Sequence, residues 1–167
     1  MNNTSSRTKK LVVSAIIAAL YAVLTLWLAP ISYGPIQSRL SEVMVLLAFI
    51  DPFYIWGLTL GCFIANGLGP DAVSNIIYGV PATFISVVCV ALTGKYLRNT
   101  KWGVFLASLW PVLFNGVIIG YMLNKLFNSP LVLTMVQVGA GEFFAVSIVG
   151  IIVYKYIFVK LKDRKVI

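Results

Sequence analysis

The longest polar passage between two apolar segments of this chain is Pro30-Ile-Ser-Tyr-Gly-Pro-Ile-Gln-Ser-Arg-Leu-Ser-Glu42. It carries Gln37, Arg39 and Glu42, whereas the segments on either side carry almost no charge. Charged groups are costly to place among helices that lie in lipid, so those that occur there usually serve a function. The passage therefore predicts a polar site at the mouth of a helical bundle, where a small polar molecule is held.

The composition indicates an all-α integral membrane protein with a single transmembrane domain over residues 1–167. The chain is 60% hydrophobic and 11% charged, whereas about a quarter of the residues of a soluble domain are charged. Apolar runs of about twenty residues recur, which is the length that crosses a bilayer as a helix. We predict six transmembrane helices, over residues 11–29, 36–50, 53–66, 75–96, 102–123 and 131–158.

The second and third segments are short for spanning helices. At about 1.5 Å per residue each is about 20 to 22 Å long, against about 30 Å for the bilayer core. Asp51-Pro52 ends the second segment, because proline disfavours helical geometry at the residue before it. The two segments either tilt and cross or form a hairpin that does not fully cross, and both alternatives leave the sidedness of the later segments unchanged.

The net charge of +8 comes from basic residues at the ends of the apolar segments. They cluster at Arg7–Lys10, at Lys95–Lys101 and from Lys155 onward. Because cytoplasmic loops carry an excess of Lys and Arg, we predict that both termini are cytoplasmic. The loops after segments one, three and five then face outside. No basic face remains for a nucleic acid, so that class of partner is not expected.

Several classes of protein are disfavoured by the residues that the chain lacks. It has no histidine, the commonest metal ligand and the commonest proton carrier at neutral pH. Cys62 and Cys89 lie inside apolar segments and do not have a metal-binding spacing. Because the sequence shows no pairing of nucleophile and base, we predict no enzyme activity, no catalytic residue, no metal and no cofactor.

Glu142 is the first candidate for a substrate-binding residue. It lies about 12 to 18 Å in from the outer end of the sixth segment, at about 1.5 Å per residue. A carboxylate at this depth costs at least about 2.5–3.5 kcal/mol unless it is paired or faces a hydrated cavity. The alternative to a ligand site is an internal ion pair with Arg39.

Glu42 is the second candidate, and it lies one turn from Arg39 on the second segment. The i, i+3 spacing places the two side chains on one face of a helix. They form either a weak interfacial pair, worth a few tenths of a kcal/mol, or a second ligand-binding carboxylate that is oriented by arginine. The spacing alone does not decide between these alternatives.

Amide and aromatic side chains complete the predicted site. Asn115 lies at a depth similar to that of Glu142, while Asn66 and Gln37 lie near the outer ends of their segments. An amide offers donors and acceptors that suit the edge of a heterocycle, although it can instead bridge helices. Tyr33 and Trp27 can contact a ring, or they can serve as interfacial anchors. Together these groups suit a small, flat, hydrogen-bonding molecule with a positive group.

The first segment carries a stripe of small residues, formed by Ala15, Ala18, Ala19 and Ala22 beside Ser14. Small residues four positions apart let a second helix approach closely in lipid. The stripe therefore indicates either a docking face for a different chain or a packing face inside the bundle.

Four motifs, in this order and spacing, match a known family: Pro30–Glu42, Gly61-Cys-Phe-Ile-Ala-Asn66, Pro111 with Asn115, and Gly139-Ala-Gly-Glu142. Through them the chain resembles the substrate-binding (S) components of energy-coupling factor (ECF) transporters. Among these it resembles the QueT family of queuosine-precursor transporters. The likeness extends from about Lys9 to Ile152.

The resemblance implies an S-component-like bundle of six helices in a bacterial inner membrane, with a ligand site on the outer side. It implies three partner subunits, namely a transmembrane scaffold and two cytoplasmic ATPases. In S components an Ala-x-x-x-Ala stripe on the first helix docks the scaffold. Ala15 and Ala19 fit this stripe, and Ala18 and Ala22 form a second register.

The ligand implied by the resemblance is a 7-deazaguanine base with an aminomethyl arm. One carboxylate can accept the two N–H groups of a guanine-like edge, the other can balance the ammonium, and an amide can satisfy the ring carbonyl. Which of Glu42 and Glu142 fills which role stays open. Arg39 is expected to orient Glu42 rather than to contact a cationic ligand.

Two other functions remain as alternatives to an ECF subunit. A stand-alone secondary transporter or channel needs a coupling ion and polar residues in the inner half of the membrane, and the sequence offers none. A purely structural membrane protein leaves the buried Glu142 without an explanation.

Overall fold

The computed structural model describes residues 2–34, 37–164 and 166–167 of the chain. Every regular element in this part of the chain is a helix, and it contains no strand. The predicted all-α architecture is thereby confirmed. The helices are α1 (Asn2–Trp27), α2 (Ala29–Ser32), α3 (Leu40–Ile50), α4 (Tyr54–Leu68), α5 (Ala72–Leu97), α6 (Gly103–Phe127) and α7 (Leu131–Asp163).

Helix α3 is the buried centre of the bundle. It begins as a 3₁₀-helix over Leu40–Leu46 and continues as an α-helix over Leu47–Ile50. Every residue from Ser41 to Ile50 is at most 8% exposed, and helices α1, α4, α5, α6 and α7 all pack against α3. A helix that is apolar on all faces is expected in the interior of a bundle. Glu42 is the charged exception on this helix.

Helices α1 and α4 touch backbone to backbone. A Cβ atom at Gly57 would lie 2.5 Å from the carbonyl oxygen of Ser14. A Cβ atom at Gly61 would lie 2.7 Å from Cβ of Tyr21 and 2.8 Å from the carbonyl oxygen of Ala18. Small residues permit this approach where lipid provides no hydrophobic driving force for association. The contact fixes which face of α1 points into the bundle.

Four helices are long and apolar enough to cross a membrane: α1 from Arg7 onward, α5, α6 and α7. Helices α3 and α4 are apolar but shorter. At about 1.5–2.0 Å of rise per residue each is about 20 to 23 Å long. The chain is therefore a multi-pass membrane protein, and the crossing of α3 and α4 stays a prediction.

The second predicted segment needs the largest correction. Residue 36, where it was predicted to begin, lies outside the described residues, and the helix begins at Leu40. Gln37 has a left-handed φ of 44° and Arg39 is extended, so neither residue can continue a helix backwards from Leu40. The helix ends before Pro52 as predicted, since Asp51 is extended.

Each of the other helices extends beyond at least one predicted bound, although α1 ends at Trp27, two residues before its predicted end. The apolar run marks only the lipid-facing part of a helix, and helical backbone continues into polar residues. The helix predicted over 11–29 begins at Asn2, that over 75–96 at Ala72, that over 102–123 ends at Phe127, and that over 131–158 ends at Asp163.

Two of the long helices contain wide π turns. In α5 the turn covers Asn75–Gly79, directly before Pro81, and in α7 the first such turn covers Phe143–Gly150, directly after Glu142. Proline removes a backbone donor, which favours irregular geometry in the preceding turn. π turns are frequent at functional sites. Both turns begin at or beside polar residues that are buried.

Polar contacts close the end of the bundle where α1 begins and α7 ends, here called the terminal end. Lys10 Nζ lies 2.5 Å from Asp51 Oδ2. Arg98 Nη2 donates to the carbonyl oxygens of Phe49 at 3.2 Å and Ile50 at 2.6 Å. These bonds satisfy carbonyls that the C-terminus of α3 leaves free. The opposite end, which carries residues 33–34, 37–39, 69–71 and 128–130, is here called the site end.

Candidate functional site

Glu42 is fully buried, and two hydroxyl groups hold one of its oxygens. The phenol of Tyr21 on α1 donates to Oε1, and Thr83 Oγ1 on α5 donates to the same atom at 3.1 Å. Tyr21 and Thr83 are also fully buried. The second oxygen, Oε2, has no partner among the described residues. Helix α3 therefore presents one free carboxylate oxygen in a fixed orientation.

A chain of hydrogen bonds supports this arrangement from α4. Asn66 Nδ2 donates to Cys62 Sγ at 3.2 Å, and the Cys62 thiol donates to Thr83 Oγ1 at 3.3 Å. Thr83 then donates onward to Glu42, so each donor in the chain points toward the carboxyl. The amide oxygen of Asn66 is buried and unpartnered within the described part of the protein.

Arg39 is buried at the site end and fastens the segment that precedes α3. Its Nε donates to the Ser32 carbonyl at 3.4 Å, its Nη2 donates to Asn75 Oδ1 at 3.3 Å, and its Cζ lies 5.3 Å from the Tyr33 ring centroid. Glu42 feels the charge of Arg39, but the described residues show no direct ion pair between them. The direct partners of Glu42 are hydroxyl groups, and the orientation of Glu42 by the charge of Arg39 stays a prediction.

Tyr33 lies between α2 and α3 and links this segment to α4. Its hydroxyl donates to the Ala65 carbonyl at 2.6 Å. Burial raises the pKa of the Tyr33 phenol, so the group stays protonated and remains a donor. Its ring also lies against Gly69 in the turn between α4 and α5. Tyr33 thus ties the two connections at the site end together.

Glu142 on α7 joins the same cluster. It is 1% exposed, and the Asn115 side chain on α6 lies close to its carboxyl. Glu142 also interacts electrostatically with Glu42 and Arg39. Its Oε2 has no partner in the described regions, and no direct ion pair joins it to Arg39 there. The geometry therefore does not support the alternative of an internal ion pair between Glu142 and Arg39.

Residues 37–39 lie beside Glu142. Ser38 Oγ donates to the Gly141 carbonyl at 3.2 Å, which links this segment to α7. Gln37 is 3% exposed. The passage before α3 and the deep carboxyl of α7, about a hundred residues apart in sequence, therefore meet at one place.

Three acceptor atoms in this cluster are buried without a hydrogen-bond partner among the residues described: Glu42 Oε2, Glu142 Oε2 and Asn66 Oδ1. The other such side-chain atoms are hydroxyl oxygens, which can also donate: Ser14 Oγ, Ser32 Oγ and Thr59 Oγ1. Native proteins rarely leave buried polar groups unpaired, since each costs about 1–3 kcal/mol and charged groups cost more. The cluster therefore lacks donors.

The charges of the cluster do not balance. Arg39, Glu42 and Glu142 are the charged side chains that are buried in the part of the chain that the structure describes. With both carboxyls ionised, one guanidinium leaves a single negative charge. Buried charges are normally paired. In that ionisation state the cluster lacks one positive charge as well as hydrogen-bond donors.

A cavity of about 320 Å³ opens at the site end. It is lined by Tyr33, Gly34, Leu123, Phe127, Ser129, Thr134 and Gln137. Tyr33 belongs to both the cavity and the polar cluster. Glu142 lies about 7 Å farther along α7 than Gln137, at about 1.5 Å per residue. The cavity has a volume typical of a small-molecule pocket and borders the cluster at Tyr33, while Glu42, Glu142 and Asn66 are not among its lining residues.

The structure brings most of the predicted site residues together. Glu42, Glu142, Asn115 and Arg39 interact directly or through their charges, and Asn66 joins them through Cys62. Tyr33 contacts Arg39, and Gln37 adjoins the residue that bonds α7. Trp27 stands apart, since it is 77% exposed at the end of α1. Its place is that of an interfacial anchor.

Sequence reasoning missed three residues that hold the cluster: Tyr21, Thr83 and Asn75. Tyr21 carried a usable signal, because a lone tyrosine in the middle of an apolar segment needs a hydrogen-bond partner. Thr83 and Asn75 carried none, since both residue types are common in membrane helices and helix starts. Their roles depend on which face of α5 points inward.

The two registers of the alanine stripe face different ways. Ala18 and Ala22 are 3% and 6% exposed, and Ala18 packs against Gly61 of α4. Ala15 and Ala19 are exposed. The second register is therefore internal packing, while the first leaves a small-residue face free on the surface of the bundle.

Comparison with known proteins agrees with this architecture. A family model described as "QueT transporter" matches residues 11–158. The chain is 33% identical over 157 residues to the "Queuosine precursor transporter QueT" of Lactococcus lactis subsp. cremoris (strain MG1363), covering 90% of this chain and 93% of that protein. No solved structure matches the chain. On this evidence the chain belongs to the QueT family, a family of transporters and not of enzymes.

Proposed function

We propose that this protein is the substrate-capture subunit of an ATP-driven ECF-type importer and binds a queuosine precursor from the outer side of the membrane. The observation that carries the proposal is the set of three unpartnered acceptors, Glu42 Oε2, Glu142 Oε2 and Asn66 Oδ1, in one buried cluster. A ligand that supplies hydrogen-bond donors and one positive charge satisfies all of them.

A 7-deazaguanine with an aminomethyl arm has these properties. Its guanine-like edge offers N–H donors, and its arm offers an ammonium. Hydrogen bonds between charged partners are about twice as strong as neutral ones, so the two carboxylates dominate recognition. The ammonium supplies the positive charge that the cluster lacks. The relative from Lactococcus lactis bears the name of a transporter for this class of molecule.

The remaining site residues have supporting roles in this proposal. Asn115 offers an amide to the ring carbonyl, and Tyr33 borders both the cavity and the cluster. Gln37 adjoins Ser38, which bonds the backbone of α7 next to Glu142. Arg39 fastens that segment and does not contact the cationic ligand.

We propose six spans with both termini in the cytoplasm of a bacterial cell, in the inner membrane. The basic clusters at the terminal end of the bundle support this orientation, since Lys and Arg concentrate on the cytoplasmic side. The site end then faces outside. The whole chain acts as one transmembrane domain, and a scaffold subunit with two ATPases supplies the energy for release.

The direct test is binding of purified protein in detergent, measured by calorimetry, to 7-aminomethyl-7-deazaguanine, with guanine and an unrelated vitamin as comparisons. We expect tight binding of the first ligand alone. The Glu142→Gln variant should lose about tenfold or more in affinity, because a charged acceptor becomes a neutral amide. Unchanged affinity in a folded variant would remove Glu142 from the site.

An uptake experiment separates the proposal from a stand-alone transporter or channel. Cells that produce this protein with the scaffold and both ATPases should accumulate the labelled precursor, and cells that produce it alone should not. Accumulation without the three partners would refute the ECF mechanism while leaving substrate binding intact.

A further inference from the structure

We infer that the two carboxylates have separate roles: Glu42, held by Tyr21 and Thr83, receives the ammonium of the ligand, and Glu142 receives the two N–H groups of the guanine-like edge. The inference rests on the proposed function and deepens it by assigning each end of the ligand. It also makes Tyr21 and Thr83 positioning residues that set the preference for a cationic arm.

The first step is the number of acceptor positions that each carboxylate keeps. A carboxylate has about four lone-pair positions, two on each oxygen. Tyr21 and Thr83 both donate to Oε1 of Glu42, which fills both positions on that atom. Oε2 alone remains for the ligand. Glu42 can therefore accept donors at one oxygen only.

Glu142 keeps a different set of positions. Its Oε2 is unpartnered among the residues described, and the Asn115 amide lies close enough to donate one hydrogen bond to the carboxyl. One hydrogen bond leaves about three of the four positions, with at least one on each oxygen. Glu142 can thus accept two parallel N–H donors at once, which Glu42 cannot.

The two ends of the ligand differ in the number and direction of the donors that they offer to one carboxylate. The N–H groups of a guanine-like edge are parallel and match both oxygens of one carboxylate. An ammonium is a compact charge with donors that diverge, so it suits one carboxylate oxygen together with a second nearby acceptor. We assign this second acceptor to Asn66 Oδ1, which is buried and unpartnered and whose side chain is linked to Glu42 through Cys62 and Thr83.

The surroundings of Asn115 fit the same assignment. Its amide lies close to Glu142, so an N–H group of Asn115 can meet a carbonyl next to the edge that Glu142 accepts. The pair of Glu142 and Asn115 then recognises the base, and the pair of Glu42 and Asn66 recognises the arm.

The test compares two matched ligand changes in two isosteric variants. The first change replaces the aminomethyl arm by methyl, and the second replaces deazaguanine by deazahypoxanthine, which lacks the exocyclic amine. For Glu42→Gln we expect the preference for aminomethyl over methyl to fall about tenfold or more, with the preference for the exocyclic amine retained. Glu142→Gln should show the reverse pattern.

Positioning by the hydroxyl groups is tested by Tyr21→Phe and Thr83→Val. Each should lower the preference for the aminomethyl arm severalfold without changing the preference for the exocyclic amine. Tyr54→Phe and Thr93→Val serve as matched controls, because they remove hydroxyls from α4 and α5 outside the cluster. A merely structural role would weaken all ligands equally and leave both preferences unchanged.

The outcomes separate this inference from the proposed function. If wild-type protein binds none of the deazaguanines, the proposed function fails. If it binds them but Glu42→Gln loses the preference for the exocyclic amine while Glu142→Gln loses the preference for the arm, the assignment of roles is overturned and the binding function stands. Equal losses in both variants, or unchanged preferences, overturn the assignment in the same way. If Glu42→Gln does not fold, the Tyr21→Phe and Thr83→Val variants decide the assignment.

Discussion

Arg39 illustrates how a single buried charge is used at the residue scale. Its guanidinium contacts a carbonyl on one side, an amide oxygen on another and the Tyr33 ring through its face. Arginine can do this because its planar group offers several fixed donors and a flat surface. The side chain therefore joins α2, the segment before α3 and the first turn of α5. Arg39 thus holds these three parts of the chain together without forming an ion pair with Glu42 or Glu142.

We expect Arg39→Lys to destabilise the protein by about 1–3 kcal/mol, since lysine keeps the charge but cannot maintain the separate contacts. Thermal unfolding in detergent measures the change, and affinity for the deazaguanine should also fall because the segment over Glu142 loosens. Arg164→Lys, at an exposed position beyond α7, is the control and should unfold like the wild type. Equal unfolding of both variants would show that Arg39 fastens nothing.

At the scale of elements, the bundle depends on how closely α1 and α4 approach. The small residues of α4 allow Tyr21 of α1 to sit where its hydroxyl reaches Glu42 on α3. Thr25 of α1 makes a second link, through a 2.6 Å contact between its Oγ1 and Ser41 Oγ. The packing distance between α1 and α4 therefore determines the geometry of the site. A wider spacing between α1 and α4 would misplace the phenol.

Gly61→Ala tests this link between packing and site. The added methyl group would lie 2.7 Å from Cβ of Tyr21 and 2.8 Å from a backbone carbonyl of α1, so the helices must separate. We expect a loss of about 1–3 kcal/mol in stability and weaker binding of the aminomethyl ligand. Gly67→Ala on the same helix is the control, because its nearest neighbour is a side-chain methyl at 3.8 Å. That variant should be as stable as the wild type or slightly more so.

At the scale of the whole molecule, α1 presents small residues on two faces, one buried in the bundle and one exposed. Its inner face packs on α4 and carries Tyr21, while its outer face leaves Ala15 and Ala19 exposed. Ala residues at this spacing let a second helix approach closely in lipid. We propose that this outer face docks the scaffold subunit, so that one helix borders both the ligand site and the partner.

The double substitution Ala15→Trp with Ala19→Trp should abolish co-purification with the scaffold and leave ligand affinity unchanged. Both positions are exposed, so the bundle can accept the larger side chains. Leu113→Trp with Val117→Trp, an exposed pair at the same spacing on α6, is the control and should keep the complex. Survival of the complex in the alanine variant would mean that the scaffold binds elsewhere. Ala18→Trp should instead impair folding, since that position is buried.

Several features of this protein follow from the sequence alone. Runs of apolar residues determine the helices, because hydrogen-bonded helical backbone is what lipid tolerates. The cost of burying charge singled out Glu42, Glu142 and Arg39 before any contact was known. The same reasoning placed Asn66 and Asn115 near them. It could not place the start of α3, because Gln37 adopts a left-handed backbone conformation that is usually indicated in a sequence by glycine.

Only the tertiary structure decided how these groups are used. Tyr21 and Thr83 reach Glu42 across 21 and 41 residues of sequence, and one face of α1 rather than its neighbour turns inward. The rotation of each helix about its axis depends on packing against several others at once. A local pattern does not contain that information. The pairing of Ala18 with Gly61, the exposure of Ala15 and the single free oxygen of Glu42 all result from that rotation.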